Sequence, residues 1–276
     1  MIPNYRKIGL LMALAAPFFL GSFSASAHLL QVLPEMGDLE RWAAFSLGGG
    51  ITDTTTADDL SGNTFIKGDV GVAGSGNITM SGNSIINGNL YYRTNGNLSM
   101  SGNATITGSR FHNASSNSIL DNGVNEAINA SNHAFALPVN RSFTSFTGNQ
   151  NRTITGAPGE TVVMKLTNFT LSGGTFTLSG TATTNFIINV TNQFSLTGQA
   201  RVVLSGGVTW DNVLFNVRGS GSNVTLSDQS KLSGILMANN RTVQLSGQSI
   251  VTGEVVANKL SLSGGSQIIH PPITSP

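Results

Sequence analysis

Short hydroxyl-bearing pairs recur along this chain, with one residue between the two members of each pair. Six pairs contain only Ser and Thr and a seventh contains Gln: Thr79/Ser81, Ser99/Ser101, Thr177/Ser179, Ser195/Thr197, Thr225/Ser227, Ser261/Ser263 and Gln244/Ser246. Because side chains alternate along a β-strand, both members of a pair point to the same side of it. Each hydroxyl both donates and accepts hydrogen bonds. Such pairs suit contact with an extended, repetitive surface rather than chemistry at a single point.

A repeat places these pairs at regular intervals. Residues 61–120 form three consecutive units of 20 residues, opening at Ser61, Ser81 and Ser101. Shorter or weaker copies follow at 169–174, 176–190, 194–207, 227–245 and 246–262. A unit of this length fits three short strands and their turns, which is one coil of a β-helix. Since so short a unit cannot bury its own apolar face, the copies must stack into a solenoid.

Alternation also predicts the core of the solenoid. One apolar residue precedes each pair and another lies between its two members. These apolar residues are Ile78/Met80, Leu98/Met100, Phe176/Leu178, Phe194/Leu196, Val224/Leu226, Val243/Leu245 and Leu260/Leu262. We expect these residues to form inward-facing columns. If the hydroxyl pairs all stack on one face, they form a ladder with columns about 6.7 Å apart and rungs about 4.8 Å apart.

One segment departs from the repeat and has helical spacing. Residues 119–136 place apolar side chains on one helical stripe, with Ser118 as a candidate N-cap and Pro138 just beyond the end. We predict that this helix packs along the solenoid wall. The predicted organisation is a segment at 28–60 that leads into or caps the solenoid, a solenoid at 61–268, and a Pro-containing tail at 269–276.

The first 27 residues resemble a signal peptide. Arg6 and Lys7 precede an apolar stretch, and Ala25-Ser26-Ala27 has the small-x-small form of a cleavage site. The sequence therefore predicts export, giving a secreted chain that can also associate with the cell surface. No later apolar segment is long enough to cross a bilayer. The chain has no Cys, so its stability must come from the stacked core rather than from disulfides.

Composition argues against several classes of function. Only 10% of residues are charged and the net charge is +1, a balance that does not suggest nucleic-acid binding. The acidic residues are scattered, and Asp58-Asp59 is the only adjacent pair. Asp69 has Asn89 and Ser109 at the equivalent places of the next repeats, so no carboxylate column forms. We therefore predict no catalytic residue, no metal and no cofactor, and rank a polysaccharide-active β-helix enzyme last.

The order of motifs resembles the ice-binding-like family of microbial β-solenoids. An FSLGGGITDT segment leads to GDVGV and then to coils and a helix, after which VLFNV, GILMANN and GEVVAN follow. The chain is similar, too, to choice-of-anchor A surface domains. The resemblance implies an all-β, discontinuous solenoid with three faces and one accessory α-helix alongside. It also implies export and the absence of a cofactor.

Two functional interpretations follow. In the first, the hydroxyl pairs, with Ser246 from the mixed pair, form a flat and rigid binding surface for ice or for an extracellular polysaccharide. In the second, the chain is a structural or adhesive component of the cell surface or matrix. Outward positions of any soluble β-helix need polar residues that favour strands, and Thr meets both demands without binding anything.

Overall fold

A computed structural model describes residues 29–37, 39–54, 64–74 and 77–272. The helices are α1 (Leu29–Val32) and α2 (Ala114–Ala136), with 3-10 turns at Pro34–Met36, Leu39–Arg41 and Trp210–Asn212. The strands are β1 (Trp42–Thr54), β2 (Phe65–Lys67), β3 (Asp69–Val72), β4 (Asn77–Met80), β5 (Ile85–Asn87), β6 (Leu90–Tyr92), β7 (Asn97–Met100), β8 (Thr105–Ile106), β9 (Arg110–Phe111), β10 (Arg141–Ser142), β11 (Ser145–Asn149), β12 (Arg152–Thr155), β13 (Thr161–Gly173), β14 (Thr175–Ser179), β15 (Asn185–Leu196), β16 (Arg201–Ser205), β17 (Val213–Val217), β18 (Val224–Leu226), β19 (Lys231–Leu245), β20 (Ile250–Ser263) and β21 (Gln267–Ile269).

The strands wind into a solenoid whose coils pair in parallel and form three faces. The hydroxyl face contains β11, β18, β4 and β7 with the C-terminal parts of β13, β15, β19, β20 and β1. The helix face contains β10, β17, β3, β6 and β9 with the earlier parts of the long strands. The third face contains β12, β14, β16, β21, β2, β5 and β8 with the first residues of β19 and β20.

The coils do not stack in the order of the sequence. Strand β1 pairs with β20 on one side and with β3 and β4 on the other, so the N-terminal coils continue the C-terminal stack. The solenoid therefore ends at the coils of residues 97–111 and 141–155, which are neighbours in sequence. Helix α2 joins them: its 23 residues span about 34 Å. That length matches the roughly 38 Å covered by nine stacked strands. The predicted discontinuous β-solenoid is confirmed.

The interior is a continuous apolar column. The predicted inward pairs are buried on every coil except the terminal one, where Leu98 and Met100 are half-buried because no further strand covers them. Phe169 stacks on Phe194 with ring centroids 5.2 Å apart, and meets Phe176 edge-on at 5.1 Å. Ring pairs of these geometries stabilise beyond the area that they bury. This packing takes the place of the missing disulfides.

The repeated Ser-Gly-x motif builds the corner between the hydroxyl face and the third face. Gly82, Gly247 and Gly264 have φ of 66°, 58° and 59°, values that glycine adopts without steric cost. Gln248 follows with a φ of 62°, and its N–H donates to the Gly264 carbonyl of the next coil at 2.8 Å. The recurrent glycines of the Ser-Gly-x motif are therefore explained by stacked tight turns, while the non-glycine residues of positive φ at these corners are Gln and Asp rather than Asn.

The predicted start of the helix and the predicted start of the solenoid need correction. The helix begins at Ala114 rather than at 119, and its N-cap is Asn113, whose side chain accepts from the Ser116 N–H at 2.9 Å. Ser118 lies inside the helix, and the apolar stripe did not show this first turn because it is polar. Residues 42–54 of the predicted segment 28–60 belong to the solenoid as β1.

The remaining boundaries concern the two ends of the chain. Residues 29–41 do lead into the solenoid, and Leu29, Leu33 and Met36 are fully buried against the helix face and α2. At the other end, Ile269 belongs to β21 rather than to the tail. The predicted signal peptide, the Asp58-Asp59 loop and residues 273–276 lie outside the described residues.

Polar side chains attach α2 to the helix face. The Asn216 amide donates to the Ser131 carbonyl at 2.9 Å and to Asn189 Oδ1 at 2.7 Å. The Asn189 amide donates in turn to the Ala134 carbonyl at 2.9 Å, and Asn239 donates to Ala127 at 2.7 Å. Bonds of this kind fix one position of the helix, because sliding it would leave buried polar groups unpaired. The helix thus covers one face and leaves two others open.

Candidate functional site

The hydroxyl face carries a central row of register positions, one from each of nine adjacent strands. In stacking order the row is Thr147, Thr170, Ser195, Thr225, Gln244, Ser261, Thr52, Thr79 and Ser99. Each residue in this order is the direct register partner of the next, so no strand of the row is skipped. Adjacent rungs lie about 4.8 Å apart, so the row extends for about 38 Å.

A second row runs beside the central one, two residues further along each strand. It contains Thr197, Ser227, Ser246, Ser263, Thr54, Ser81 and Ser101. Backbone hydrogen bonds continue the register to these positions: Ser227 N–H donates to Leu196 at 2.9 Å, and Ser246 N–H donates to Leu226 at 2.9 Å. The two rows together form the predicted ladder, about 6.7 Å wide.

Two predicted residues lie elsewhere. Thr177 and Ser179 belong to β14, which pairs with β12 and β16 on the third face. Their Thr-Leu-Ser sequence is the same as that of Thr225 to Ser227, so local sequence could not separate them. The difference comes from position within the coil. The long strand β13 already supplies a rung of the hydroxyl face, and β14, which follows it directly, therefore lies on the next face.

Sequence reasoning missed several members of the central row. Thr147 and Thr170 occupy its first two rungs, and the backbone of Thr52 fills a rung between Ser261 and Thr79. Phe146-Thr147 and Phe169-Thr170 do show the apolar-hydroxyl alternation that marks the other rungs. The strands at 145–149 and 50–54 lack a recognisable copy of the full repeat, so the repeat did not predict that they contribute to the row.

The hydroxyl face is nearly free of charge. A third row beside the central one includes Ser145, Asn168, Gln193, Thr242, Lys259, Asn77 and Asn97. Among the described members of the three rows, Lys259 is the one ionisable side chain. A long uncharged surface of small hydrogen-bonding groups does not hold a strongly bound layer of counter-ions. It can instead order water or meet a neutral lattice.

The carboxyl and imidazole groups with shifted pKa values lie away from the hydroxyl face. Burial raises the pKa of Glu40 to about 7, with a further contribution from the negative charge of Asp211. Burial also raises the pKa of Glu254 well above its usual value, and repulsion from Glu40 and Glu126 adds to the effect. The pKa of His270 is lowered by burial, against the opposing effects of a hydrogen bond to the Glu40 backbone and nearby carboxylates.

These buried groups do not make a metal centre. In the described ranges, no cluster of three or more His, Asp or Glu side chains has the arrangement that holds a metal ion.

Burial lowers the pKa of Arg241, whose guanidinium donates to the carbonyls of Arg218 and Gly219 at 2.7 and 3.0 Å and so closes a loop. None of the helices in the described part of the chain has the length and apolarity that crossing a bilayer requires.

The fold is similar to solved ice-binding proteins from yeast, fungus and bacterium. An ice-binding protein with antifreeze activity from an Arctic yeast superposes with a TM-score of 0.56 at 18% identity, over 87% of this chain and 95% of the other. The ice-binding protein of the Antarctic ascomycete Antarctomyces psychrotrophicus gives a TM-score of 0.52 at 16% identity, over 85% and 96%. The DUF3494 domain of an ice-binding protein from Shewanella frigidimarina gives 0.55 at 17%, over 86% and 97%.

These identities are low enough that the likeness shows the fold alone. No curated protein matches the chain. The family model described as ice-binding-like matches residues 51–266, a range that includes all three faces and helix α2. On this match and on the discontinuous solenoid that accompanies it, the chain belongs to the ice-binding-like family.

Proposed function

We propose that this chain binds ice through the central and second rows of the hydroxyl face. The observation that carries the proposal is the unbroken backbone register of nine positions, eight of them Ser or Thr. A crystalline ligand requires binding groups that repeat with fixed spacing over a long distance. Parallel stacking supplies that spacing directly, because every coil rises by the same distance.

Rigidity supports the proposal. The rows stand on strands whose opposite sides are fully buried, as at Val224, Leu226, Val243 and Leu245. Each rung between the two terminal ones is also held by main-chain hydrogen bonds to the coils on both sides. A surface that is already ordered loses little conformational entropy on contact with a solid. The threonine methyl groups further limit how many hydrogen bonds surface water can make in other directions.

Two other properties belong to the same proposal. We infer that the chain acts by binding alone, because its shifted carboxyl groups are buried near the helix face, away from the open rows. We also infer that residues 1–27 direct export, so that the protein meets ice outside the cell. The N-terminal sequence of the secreted protein tests this: a start at His28 is expected, and a retained Met1 would contradict it.

The chain provides a matched pair of variants for testing the hydroxyl face. Thr225→Tyr and Thr177→Tyr change the same residue in the same Thr-Leu-Ser sequence, on the hydroxyl face and the third face respectively. Both side chains are half-buried on an outward position. Thermal hysteresis should be lost in Thr225→Tyr, because the ring stands above a flat row, and kept in Thr177→Tyr.

The competing interpretation predicts a different result. A structural or adhesive component would tolerate both tyrosines equally, because neither disturbs the core. Equal activity of the two folded variants would therefore reject the hydroxyl face as the ice-binding site. Circular dichroism and a thermal melt of each variant serve as the control for folding.

A further inference from the structure

The third face carries a groove that the proposed ice contact does not use. It has a volume of about 470 Å³ and lies across β16 and the first residues of β19 and β20. Pro271 and Pro272 form one wall, directly after β21. The hydroxyl face is the neighbouring side of the solenoid, so both surfaces are open at the same time.

Two cations stand side by side at the edge of this groove. Arg201 and Lys231 are register partners on β16 and β19, and both are exposed. The twelve lining residues include no carboxylate, and no described acidic residue forms an ion pair with either cation. Like charges directly opposite one another on a sheet are destabilising. An anion bound between them would offset this repulsion.

The remainder of the groove is apolar with three hydroxyl groups, one of which, on Thr209, is hydrogen-bonded to Asn212. Val203 is 39% exposed, while Val208 and Trp210 form a mostly buried floor at 7% each. Ser233 and Thr252 are register partners on the next two strands and also line the groove. The lining therefore has cations along one edge, hydroxyls in the middle, and apolar surface below and opposite.

We propose that this groove binds a linear acidic polysaccharide built from uronic-acid units. The sugar carboxylates meet Arg201 and Lys231 in charge-assisted hydrogen bonds, for which the planar Arg fork is well suited. The sugar hydroxyls meet Ser233 and Thr252, and the C–H faces of the rings pack on Val203 and the proline wall. Because the two cations are stacked from strand to strand, the polymer lies along the solenoid axis.

This inference does not depend on ice binding. The groove and the hydroxyl face share no residue, so one molecule can hold a polysaccharide and ice together. Such a chain would keep its ice-binding surface near an acidic extracellular matrix instead of diffusing away from it.

The test compares two double variants that remove the same charge. Arg201→Gln/Lys231→Gln alters the groove, and Arg110→Gln/Lys259→Gln removes two cations from β9 and from the hydroxyl face. Binding to polygalacturonate, with neutral dextran as the uncharged comparison, is measured by isothermal titration calorimetry. We expect wild type and the second variant to bind polygalacturonate, and the groove variant to bind roughly tenfold or more weakly.

Several outcomes would overturn the proposal. Wild type that fails to bind polygalacturonate, or binds dextran equally well, leaves the groove without this ligand. An equal loss in both double variants shows non-specific charge attraction, and preferential binding to anionic phospholipid vesicles assigns the groove to a lipid surface. Thermal hysteresis is measured in parallel, and because the groove variant should retain it, failure here is distinguishable from failure of the ice proposal.

Discussion

Replacing Gln244 with Thr should increase ice binding. Gln244 occupies the fifth of nine rungs in the central row, between Thr225 and Ser261, and its side chain is exposed. It is the one residue of the row that is neither Ser nor Thr. Its longer side chain stands above the neighbouring hydroxyls and interrupts the flat surface at its centre.

The size of the effect follows from the register. In the natural chain, Gln244 divides the row into two runs of four hydroxyl-bearing positions, each about 14 Å long. In Gln244→Thr a single run of nine covers about 38 Å. We expect a roughly twofold or greater rise in thermal hysteresis at equal concentration, because contact is continuous over a surface that is already ordered. The free energy of unfolding should change by less than about 0.5 kcal/mol at this exposed site.

The assay is thermal hysteresis over a range of concentrations, with Gln267→Thr as the matched control. Gln267 lies on β21 of the third face, so the same exchange is made in a strand that does not contribute to the rows. Unchanged hysteresis in a folded Gln244→Thr variant would refute the reasoning that continuity of the row determines ice affinity. A rise of equal size in Gln267→Thr would refute the assignment to this face.

Three further predictions concern stability. Gly88→Ala should destabilise the protein by about 1–3 kcal/mol in urea unfolding, because a Cβ there would overlap the Gly68 carbonyl; an unchanged midpoint would show that the coils separate easily. Asn216→Ala should cost about 1–3 kcal/mol, since it removes the hydrogen-bond partner of the buried Asn189 Oδ1 and of the buried Ser131 hydroxyl, and unaltered hydrogen exchange in α2 would contradict this. The raised pKa of Glu40 favours its protonated form in the folded state, so its contribution to stability is complete below its usual pKa and is lost as pH rises through about 7. Burial raises the pKa of Glu254 in the same direction. Thermal midpoints should therefore fall as pH rises through about 7, and Glu40→Gln should flatten the dependence; an unchanged slope would show that the Glu40 carboxyl does not titrate there.

Much of the fold could be predicted from the sequence because the coils are stabilised locally and repetitively. Alternation at Ile78 to Met80 or Val243 to Leu245 directly encodes which side chains enter the core. The Ser-Gly-x corners are likewise local, since glycine adopts the positive φ of these turns without steric cost. The match to the family model and the solenoid fold agree with what the resemblance implied.

The remaining features depend on contacts between distant parts of the chain. Nothing near Thr177 shows that its strand faces a different side from that of Thr225, because an apolar residue precedes each threonine and Leu-Ser follows each. The first turn of α2 is polar and depends on the Asn113 cap, so an apolar stripe could not locate it. The place of β1 between β20 and β3 is a register across about 200 residues, which a local pattern does not contain.

Thermal hysteresis and ice-crystal shaping by the purified wild-type protein test the central claim most directly. We expect a gap between melting and freezing, with faceted crystals whose growth stops within that gap. A protein shown to be folded by circular dichroism that leaves crystals growing as rounded discs, as in buffer alone, would contradict ice binding by the hydroxyl face.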